Sequence, residues 1–301
     1  MNKKPLIIDC DPGIDDAIAL LLLYKHKHLF DIKLICTTAG NCSVETTLNN
    51  VKYFAKNYFP EAVVAKGSPN PLVKINAQNA EDVHGESGLG LVKLTKQTYP
   101  HLENSVEAMK DVLFYSKDKV TIITLGALTN IAKLVINYPE LKDKIDRIYS
   151  MGGSIHGNGN IESYAEFNAY SDPEAFDIVA KAGVPIVINP LELAQNSKIP
   201  KETIKKYKPQ NEKQQFAFDI ASSMNEFQDP VNIGIYDAHS VLALIKPEFY
   251  NFVPCDIEIY TNSEVRGKCV LTKNEKSKNY FQILKNADET NNFILNELFS
   301  L

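Results

Sequence analysis

The sequence predicts an α/β fold in which one mostly parallel sheet is flanked by helices and residues 1–301 form a single domain. Short runs rich in β-branched residues alternate with helical stretches along most of the chain. The apolar residues of these runs are continuous, as in parallel strands that helices cover on both faces. No Gly/Ser linker, repeat or low-complexity stretch divides the chain. This order predicts a Rossmann-like sheet with its active site at the C-terminal ends of the strands.

The individual elements follow from the same patterns. The buried runs predict strands at residues 6–8, 32–37, 63–65, 120–125, 145–151 and 184–189. The stretches between them predict helices at residues 15–25, 44–58, 106–116, 128–137 and 173–182. Residues 200–236 are polar with helical character, and we expect them to form a lid over the sheet edge. The remainder predicts a hairpin from residues 255–261 and 268–271 and a last helix at residues 288–299.

The composition excludes several kinds of partner. Lys and Arg total 32, Asp and Glu total 37, and the formal net charge is −5. A mildly acidic chain without basic runs is not expected to bind nucleic acid. The longest apolar run, residues 17–24, is too short to cross a bilayer, and the first residues lack the apolar core of a signal peptide. The sequence therefore predicts a cytoplasmic protein without a membrane partner.

Cysteine usage indicates the same compartment. The cysteines are odd in number and include no C-x-x-C pair: Cys10, Cys36, Cys42, Cys255 and Cys269. Such a set predicts reduced thiols in a cytosol rather than a disulfide framework. A bond between Cys36 and Cys42 is the alternative, although buried free thiols are the better interpretation.

Acidic residues cluster where the first predicted strand becomes a helix. The sequence D-C-D-P-G-I-D-D, from Asp9 to Asp16, places four carboxylates within eight residues. A helix dipole supplies about half a positive charge at the helix start, too little to hold four carboxylates together. Either some are protonated or a cation lies among them, and all-oxygen ligands favour Ca²⁺ or Mg²⁺ over Zn²⁺. Helix capping is the alternative, but it explains only one or two of these aspartates. Cys10 points to the other side of the strand and is assigned to the core.

This cluster resembles the signature of the inosine–uridine-preferring nucleoside hydrolase family, whose members split the bond between a ribose and a nucleobase. Four further segments match in the family's order: G-N at 40–41, H-G-E-S-G-L-G at 84–90, L-T-N-I-A at 128–132, and the stretch from M-G-G at 151–153 to A-E-F-N at 165–168. Together they span most of the chain. The resemblance implies Ca²⁺-dependent hydrolysis of ribonucleosides, as in nucleoside salvage, by a homodimer or homotetramer.

The resemblance also implies how the ion is held. Its ligands would be Asp11, Asp16, the main-chain carbonyl of Leu125 and Asp237, with sugar hydroxyls and waters completing the shell. The chemistry agrees, because Ca²⁺ accepts about six to eight oxygens, including those of carbonyls. Asp11 would also be the general base that takes a proton from the attacking water. Leu125 closes a predicted strand, and an ordinary strand end explains it equally well.

A second implied set of residues binds the ribose. By resemblance, Asp15 and Asn41 hold the region of the 2′-hydroxyl, although an Asx turn is the alternative role for Asn41. The other ribose contacts would come from Met151, Asn160, Glu166 and Asn168. Residues 166 and 168 share a face if that piece of chain is extended. Carboxylate and amide oxygens around the ring would stabilise the positive charge of an oxocarbenium-like transition state.

Two residues are candidates for contact with the nucleobase. His84 begins a Gly-rich loop that resembles the family's loop near the base, although a lone His is more often structural. Many family members have a His before the last metal-binding Asp, and that His is credited with protonating the leaving base. Here Tyr236 precedes Asp237, and His239 lies three residues on, where we expect it to be packed. Tyr, with a pKa of about 10 against about 6.5 for His, is the weaker acid. If Tyr236 is a poor acid, purine nucleosides would react slowly, and pyrimidines or an unusual base become candidate substrates.

Two other functions remain open on the sequence. Asp-x-Asp after a strand also occurs in Mg²⁺-dependent phosphatases, in which Asp9 or Asp11 would be the nucleophile, but no Ser or Thr follows Asp11 in the turn to hold phosphate. The other is a non-catalytic or weakly active homologue that binds nucleosides or ribose, an interpretation that Tyr236 motivates. Asp11 argues against it only in part, because the same residue would ligate the metal.

Overall fold

Strands and helices alternate along the chain in the computed structural model, which describes residues 3–73, 79–227, 231–262 and 264–301. The strands are β1 (Lys4–Cys10), β2 (Phe30–Thr37), β3 (Val63–Ala65), β4 (Val120–Thr124), β5 (Ile145–Met151), β6 (Ile186–Asn189), β7 (Ile199–Pro200), β8 (Asn232–Ile233), β9 (Tyr250–Ile259), β10 (Cys269–Lys273) and β11 (Tyr280–Leu284). The helices are α1 (Ile14–Lys25), α2 (Val44–Tyr58), α3 (Glu81–His84), α4 (Ser105–Tyr115), α5 (Thr129–Asn137), α6 (Phe167–Ser171), α7 (Pro173–Ala180), α8 (Glu192–Gln195), α9 (Lys201–Ile204), α10 (Glu212–Phe227), α11 (Ala238–Ile245) and α12 (Ala287–Phe299).

The described strands build one large sheet in the order β10-β9-β11-β6-β5-β4-β1-β2-β3, while β7 pairs only with β8. Every neighbouring pair from β11 to β3 is parallel. Strand β9 runs antiparallel to both β11 and β10. The order β3-β2-β1-β4-β5-β6 is that of a Rossmann sheet, whose winding reverses between β1 and β4. The predicted fold class is therefore confirmed.

Helices cover both faces of the sheet because strand side chains alternate between the faces. Ile8 and Cys10 of β1 join one core with α1, α2, α10, α11 and α12. Ile7 of the same strand joins a second core with α4, α5, α7 and the β9–β10 hairpin. Helix α1 is buried from its first residue to Leu23, including the two aspartates of its first turn, because α10, α11 and α12 pack around it. Carboxylates are thus buried at the helix start.

Side-chain caps define where several helices begin. The hydroxyl of Ser43 accepts the N–H of Thr46 at the start of α2. Asn104 caps α4 in the same way, and Asp172 caps α7 immediately before Pro173. Each cap satisfies a main-chain N–H group that has no partner within the helix, and proline is suited to the first helical position. The predicted starts of these three helices, at residues 44, 106 and 173, lie within one residue of the observed ones.

The later part of the chain differs from the predictions in two respects. Strand β11 was not predicted; it pairs with β6 and β9 and so attaches the predicted β9–β10 hairpin to the parallel sheet. The helical character predicted for residues 200–236 is confirmed by α9 and α10, and the lid stays a prediction. However, α10 is not polar on all sides, because it packs against α1 and α12 and buries Ala217, Ile220, Ala221 and Met224. Polar residues on its outer side obscure this narrow apolar stripe in the sequence.

All five cysteines are free and buried, which confirms the thiol prediction and excludes the Cys36–Cys42 bond. Cys10 lies in the core as expected. Within the described ranges, we find no helix with both the length and the apolar character that crossing a bilayer requires.

Candidate active site

A cavity of about 170 Å³ lies at the carboxyl ends of the parallel strands, beside the reversal point between β1 and β4. It brings together most of the site residues that the sequence predicts: Asp15, Asn41, His84, Leu125, Met151, Asn160, Glu166, Asn168, Tyr236 and Asp237. The two remaining predicted residues, Asp11 and Asp16, do not line the cavity but are hydrogen-bonded to Asn41, which does.

Asp16 connects the turn after β1 with the loop after β2. Its carboxylate accepts the main-chain N–H of Asp11 at 3.2 Å and of Gly13 at 3.0 Å. It also accepts Nδ2 of Asn41 at 3.0 Å. Hydrogen bonds to a charged acceptor are stronger than neutral ones, and the bond to Gly13 satisfies an N–H group at the start of α1. One buried carboxylate therefore fixes both loops relative to each other.

Asp11 packs against Gly40 and Gly126, two positions at which any side chain would collide with its carboxylate. Its Oδ2 accepts the N–H of Asn41 at 2.8 Å, whereas its Oδ1 is buried and has no hydrogen-bond partner within the described part of the chain. A Cβ atom on Gly40 would lie 2.0 Å from Oδ2, and one on Gly126 would lie 2.4 Å from Oδ1. One oxygen of Asp11 is thus held firmly, while the other can accept a proton or a cation.

Asp15 and Asp237 complete the carboxylate cluster. The main-chain N–H of Tyr236 donates to Asp15, and the carboxyl groups of Asp16 and Asp237 are in hydrogen-bonding contact. Burial raises the pKa of Asp11, Asp15 and Asp237 well above the usual range, and the negative charge of Asp16 raises it further. At neutral pH the cluster requires protons or a cation to balance its charge.

The donor set fits a hard divalent cation. The candidate ligands are all oxygens, which Ca²⁺ and Mg²⁺ prefer, and Oδ1 of both Asp11 and Asp15 is buried without a partner among the described residues. In those same ranges, no three His, Cys, Asp or Glu side chains are spaced as a ready group of metal ligands. Asp16 and Asp237 contact each other instead.

Glu166 caps helix α6 beside the cavity. Its carboxylate accepts the N–H groups of Gly153 at 2.8 Å, Asn168 at 2.9 Å and Ala169 at 3.0 Å. The condition under which residues 166 and 168 would share a face, an extended chain, is not met, because these cap bonds turn the chain into a helix from Phe167 onward. Burial raises the pKa of Glu166, and the three N–H donors oppose that shift. Its charge is held in place by the backbone.

Asn168 joins the ends of β4 and β5. Its Nδ2 donates to the carbonyl of Leu125 at 2.7 Å and to that of Met151 at 3.2 Å. Leu125 follows the last residue of β4, Thr124, rather than ending the strand itself. The carbonyl oxygen of Leu125 has a second lone pair, so the bond from Asn168 does not prevent it from binding another group. Asn160 accepts the N–H of Phe167 at 2.9 Å and anchors the loop between β5 and α6.

His84 is a buried, neutral histidine at the end of α3. Its Nδ1 accepts the N–H of Ile14 at 3.1 Å, so the ring proton is on Nε2. Burial lowers the pKa of His84 to about 4, and the ring is therefore uncharged at neutral pH. Because His84 also lines the cavity, its Nε2–H is the candidate donor of this ring to a ligand. The structural and the ligand-binding roles of this residue are compatible.

Asn189, the last residue of β6, positions Tyr236. Its Nδ2 donates to the carbonyl of Tyr236 at 2.7 Å. The ring of Tyr236 packs beside Gly234, where a Cβ atom would lie 3.3 Å from the phenol oxygen, and it lines the cavity. His239 does not line the cavity. Its Nδ1 is 2.8 Å from the hydroxyl of Tyr250 in the core. The prediction that His239 is packed is confirmed.

Sequence reasoning missed part of the cavity wall. Asn79, Asp82 and Val83 precede His84, and Ile161 and Phe167 adjoin predicted ribose residues. Only their proximity to predicted positions could have indicated them.

Within the described ranges no Ser, Thr or Lys lines the cavity, so the phosphate-holding groups of a phosphatase are not found there.

Comparison with known proteins adds independent information. The model of the family described as inosine-uridine preferring nucleoside hydrolase matches residues 6–293. The chain is 37% identical over 269 residues to the pyrimidine-specific ribonucleoside hydrolase RihA of Shewanella oneidensis, covering 87% of this chain and 84% of that protein. It is 36% identical over 272 residues to the protein of the same name from Escherichia coli, with 88% and 85% covered.

Solved structures share the fold. The chain matches a plant nucleoside hydrolase with a TM-score of 0.90 at 21% identity, covering 100% of both chains. It matches a purine-preferring ribonucleoside hydrolase from Gardnerella vaginalis with a TM-score of 0.87 at 22% identity, covering 99% and 98% of the two chains. At these identities the likeness establishes the fold alone.

Proposed function

Because the chain belongs to the inosine-uridine preferring nucleoside hydrolase family and is thus a hydrolase acting on N-glycosyl compounds, we propose that it hydrolyses ribonucleosides with Ca²⁺ as its cofactor. The observation that carries the proposal is the unpartnered, buried Oδ1 of Asp11 beside a cavity whose lining includes several carboxylate and amide side chains. The products would be ribose and a free base. The assembly, a homodimer or homotetramer, is proposed from the family resemblance and is tested by light scattering.

Four oxygen donors are proposed to hold the ion: the carboxylates of Asp11, Asp16 and Asp237 and the carbonyl of Leu125. They come from separate segments of the chain. Ca²⁺ accepts such an irregular set, whereas Mg²⁺ demands near-octahedral geometry at shorter distances. When bound, the ion would hold the sugar hydroxyls and polarise the attacking water.

Asp11 is the proposed general base. The N–H of Asn41 fixes its Oδ2, and Oδ1 is available for the proton of the water. A cation among these carboxylates would keep Asp11 ionised at neutral pH, which is the form that can accept a proton. The fixed orientation of Asp11 also reduces the entropy lost on reaching the transition state.

The remaining polar wall is proposed to bind the ribose and stabilise its charge. Asp15 offers an unpartnered oxygen to the 2′-hydroxyl region, beside the side chain of Asn41. Met151, Asn160, Glu166 and Asn168 would contact the other side of the sugar. Since N-glycoside cleavage develops positive charge on the ring, carboxylates fixed by backbone donors stabilise the transition state more than the substrate.

We further propose that pyrimidine ribonucleosides are the preferred substrates. Both curated relatives described above are named pyrimidine-specific. In this chain, the Nε2–H of His84 and the hydroxyl of Tyr236 are donors in the same cavity. They are proposed to bind the base and, as it departs, to deliver the proton that it requires.

The proposal is tested with purified protein, CaCl₂ and a panel of uridine, cytidine, inosine and adenosine, by measuring the release of reducing sugar. We expect uridine and cytidine to be cleaved fastest, activity to be lost on chelation, and added calcium to restore it. Asp11→Asn should remove activity, while Asp146→Asn, an exposed residue in β5, should not. Calcium-dependent ribose binding without turnover of any nucleoside would overturn the proposal in favour of a non-catalytic binding protein.

A further inference from the structure

Two buried polar residues, Asp9 and Asn130, lie outside the cavity, although both belong to motifs that stand out in the sequence. Asp9 is 1% exposed and Asn130 is 0% exposed. We propose that they are a positioning pair, which fixes Asp11 and Asn41 by bonding the ends of three strands together. The inference rests on the proposed function for its kinetic test only.

Asn130 uses both its donor hydrogens and its acceptor oxygen. Its Nδ2 donates to Oδ1 of Asp9 at 2.8 Å and to the carbonyl of Thr37 at 2.9 Å. Its Oδ1 accepts the N–H of Ser68 at 3.0 Å. Asp9 belongs to β1, Thr37 ends β2, and Ser68 follows β3. A single side chain at the start of α5 therefore connects the carboxyl ends of three neighbouring strands.

Gly67 shows how closely these strand ends pack. A Cβ atom there would lie 1.7 Å from the carbonyl oxygen of Thr37 and 2.5 Å from Nδ2 of Asn130. The backbone at Gly67 can approach the junction only because it carries no side chain. A shift of one strand end would therefore break contacts with the others.

The junction continues directly into the active site. The carbonyl of Ser68 accepts the N–H of Ala39 at 3.1 Å. Two residues later, the N–H of Asn41 donates to Oδ2 of Asp11 at 2.8 Å, and its Nδ2 donates to the carbonyl of Asp11 at 3.1 Å. Because the loop from Thr37 to Asn41 is short, holding its start and middle determines the direction from which Asn41 reaches Asp11.

Stability alone explains the pair less well. Burial of polar groups costs free energy that their hydrogen bonds only partly offset, and Oδ2 of Asp9 has no partner among the described residues. Apolar side chains of similar size would fill the same space at a lower cost. They would not give three strand ends a fixed orientation, which a positioned general base requires.

The first test compares Asn130→Ala with Thr129→Val. Thr129 is the adjacent buried residue in α5, and its hydroxyl donates at 2.7 Å to buried Asp172, which caps α7. Both substitutions remove buried hydrogen bonds, so both should lower Tm. Only Asn130→Ala should lower kcat for uridine, on the order of tenfold to a hundredfold, with KM changed by less than about threefold.

The second test exchanges the partners. Asn130→Asp removes both donors and places a carboxylate against Asp9, so kcat should fall further. Adding Asp9→Asn restores one donor and one acceptor across the pair, and the double variant should recover at least about tenfold in kcat over Asn130→Asp. This exchange also tests the inference if Asn130→Ala does not fold.

A crystal structure of a folded Asn130 variant provides a readout that does not depend on activity. We expect the contact between the N–H of Asn41 and Oδ2 of Asp11 to be longer than a hydrogen bond. Wild-type kcat in Asn130→Ala, no recovery in the double variant, or an unchanged contact would each overturn the positioning role. An inactive wild-type protein would refute the proposed function instead, and the crystallographic contact would still decide on the pair.

Discussion

Nδ1 of His84 accepts a hydrogen bond of 3.1 Å from the main-chain N–H of Ile14, although the two residues are 70 positions apart in the chain. The contact joins the Gly-rich loop to the first turn of α1, where the acidic cluster lies. The contact also determines the tautomer of the ring: because Nδ1 accepts this bond, the ring proton is on Nε2.

Two substitutions of His84 separate these roles. Asn places its side-chain oxygen near the position of Nδ1 and can retain the bond to Ile14, whereas Gln places an N–H donor near the position of Nε2. We expect His84→Asn to keep more of the wild-type Tm and to lose about 1–3 kcal/mol in kcat/KM for uridine, as when a buried donor is removed. His84→Gln should have a lower Tm than His84→Asn but retain more of the wild-type kcat/KM for uridine.

Steady-state kinetics and thermal unfolding of both variants measure the difference. Because burial lowers the pKa of His84 to about 4, wild-type activity should not change through titration of this ring between about pH 5 and pH 8. Equal kcat/KM in the two variants would contradict a donor role.

Tyr236→Phe tests the proposed leaving-group acid. The substitution retains the ring, which packs beside Gly234, and removes only the hydroxyl. Since general acid catalysis contributes about 100-fold or more, kcat for uridine should fall by that order. A 4-nitrophenyl riboside, whose leaving group departs without a proton, should be cleaved at nearly the wild-type rate. An equal loss on both substrates would show that the hydroxyl has another role.

The stabilising effect of calcium should depend on pH. Burial raises the pKa of Asp11, Asp15 and Asp237, so the metal-free folded protein retains protons that the unfolded chain releases above about pH 4. Their contribution to stability is therefore present at low pH and lost as the pH rises.

Calcium requires ionised carboxylates, so its binding reverses that trend. The increase in Tm on adding calcium should be small at about pH 5 and reach several degrees at about pH 8, which calorimetry measures directly. Magnesium at the same concentration is the control and should give a smaller increase. The same calcium shift at both pH values would argue against ion binding by these aspartates.

Gly40→Ala should inactivate the protein through Asp11. The added Cβ would lie 2.0 Å from Oδ2 of Asp11, which must then move away from the N–H of Asn41. A displacement of about 1 Å at a catalytic group can cost on the order of a hundredfold in rate, and we expect that loss in kcat for uridine. Gly126→Ala, which approaches the other oxygen of the same carboxylate, should have a similar effect. Normal turnover by either variant would contradict the role of Asp11 as a fixed base.

Much of the fold could be predicted from local patterns. The local patterns predict β4 and β5 almost residue for residue, and all five residues of β4 are buried, as expected of a parallel strand that is covered on both faces. Strand β11 was not predicted, because this segment of five residues is a strand only through its hydrogen bonds to β6 and β9. Helix α10 is helical as predicted, but the burial of one of its sides depends on α1 and α12 and could not be predicted from its polar composition.

The sequence by itself determined that four carboxylates crowd the turn from Asp9 to Asp16 and that they need protons or a cation, because a helix dipole cannot balance their charge. It also determined which later segments carry polar groups to the same edge of the sheet. Only the tertiary structure decided the role of each carboxylate: Asp11 keeps a free oxygen, Asp16 bonds two loops together, and Asp9 faces Asn130 outside the cavity. The reason is that hydrogen-bond partners 25 to 121 residues away are selected by how strands pack, and local sequence does not contain that information.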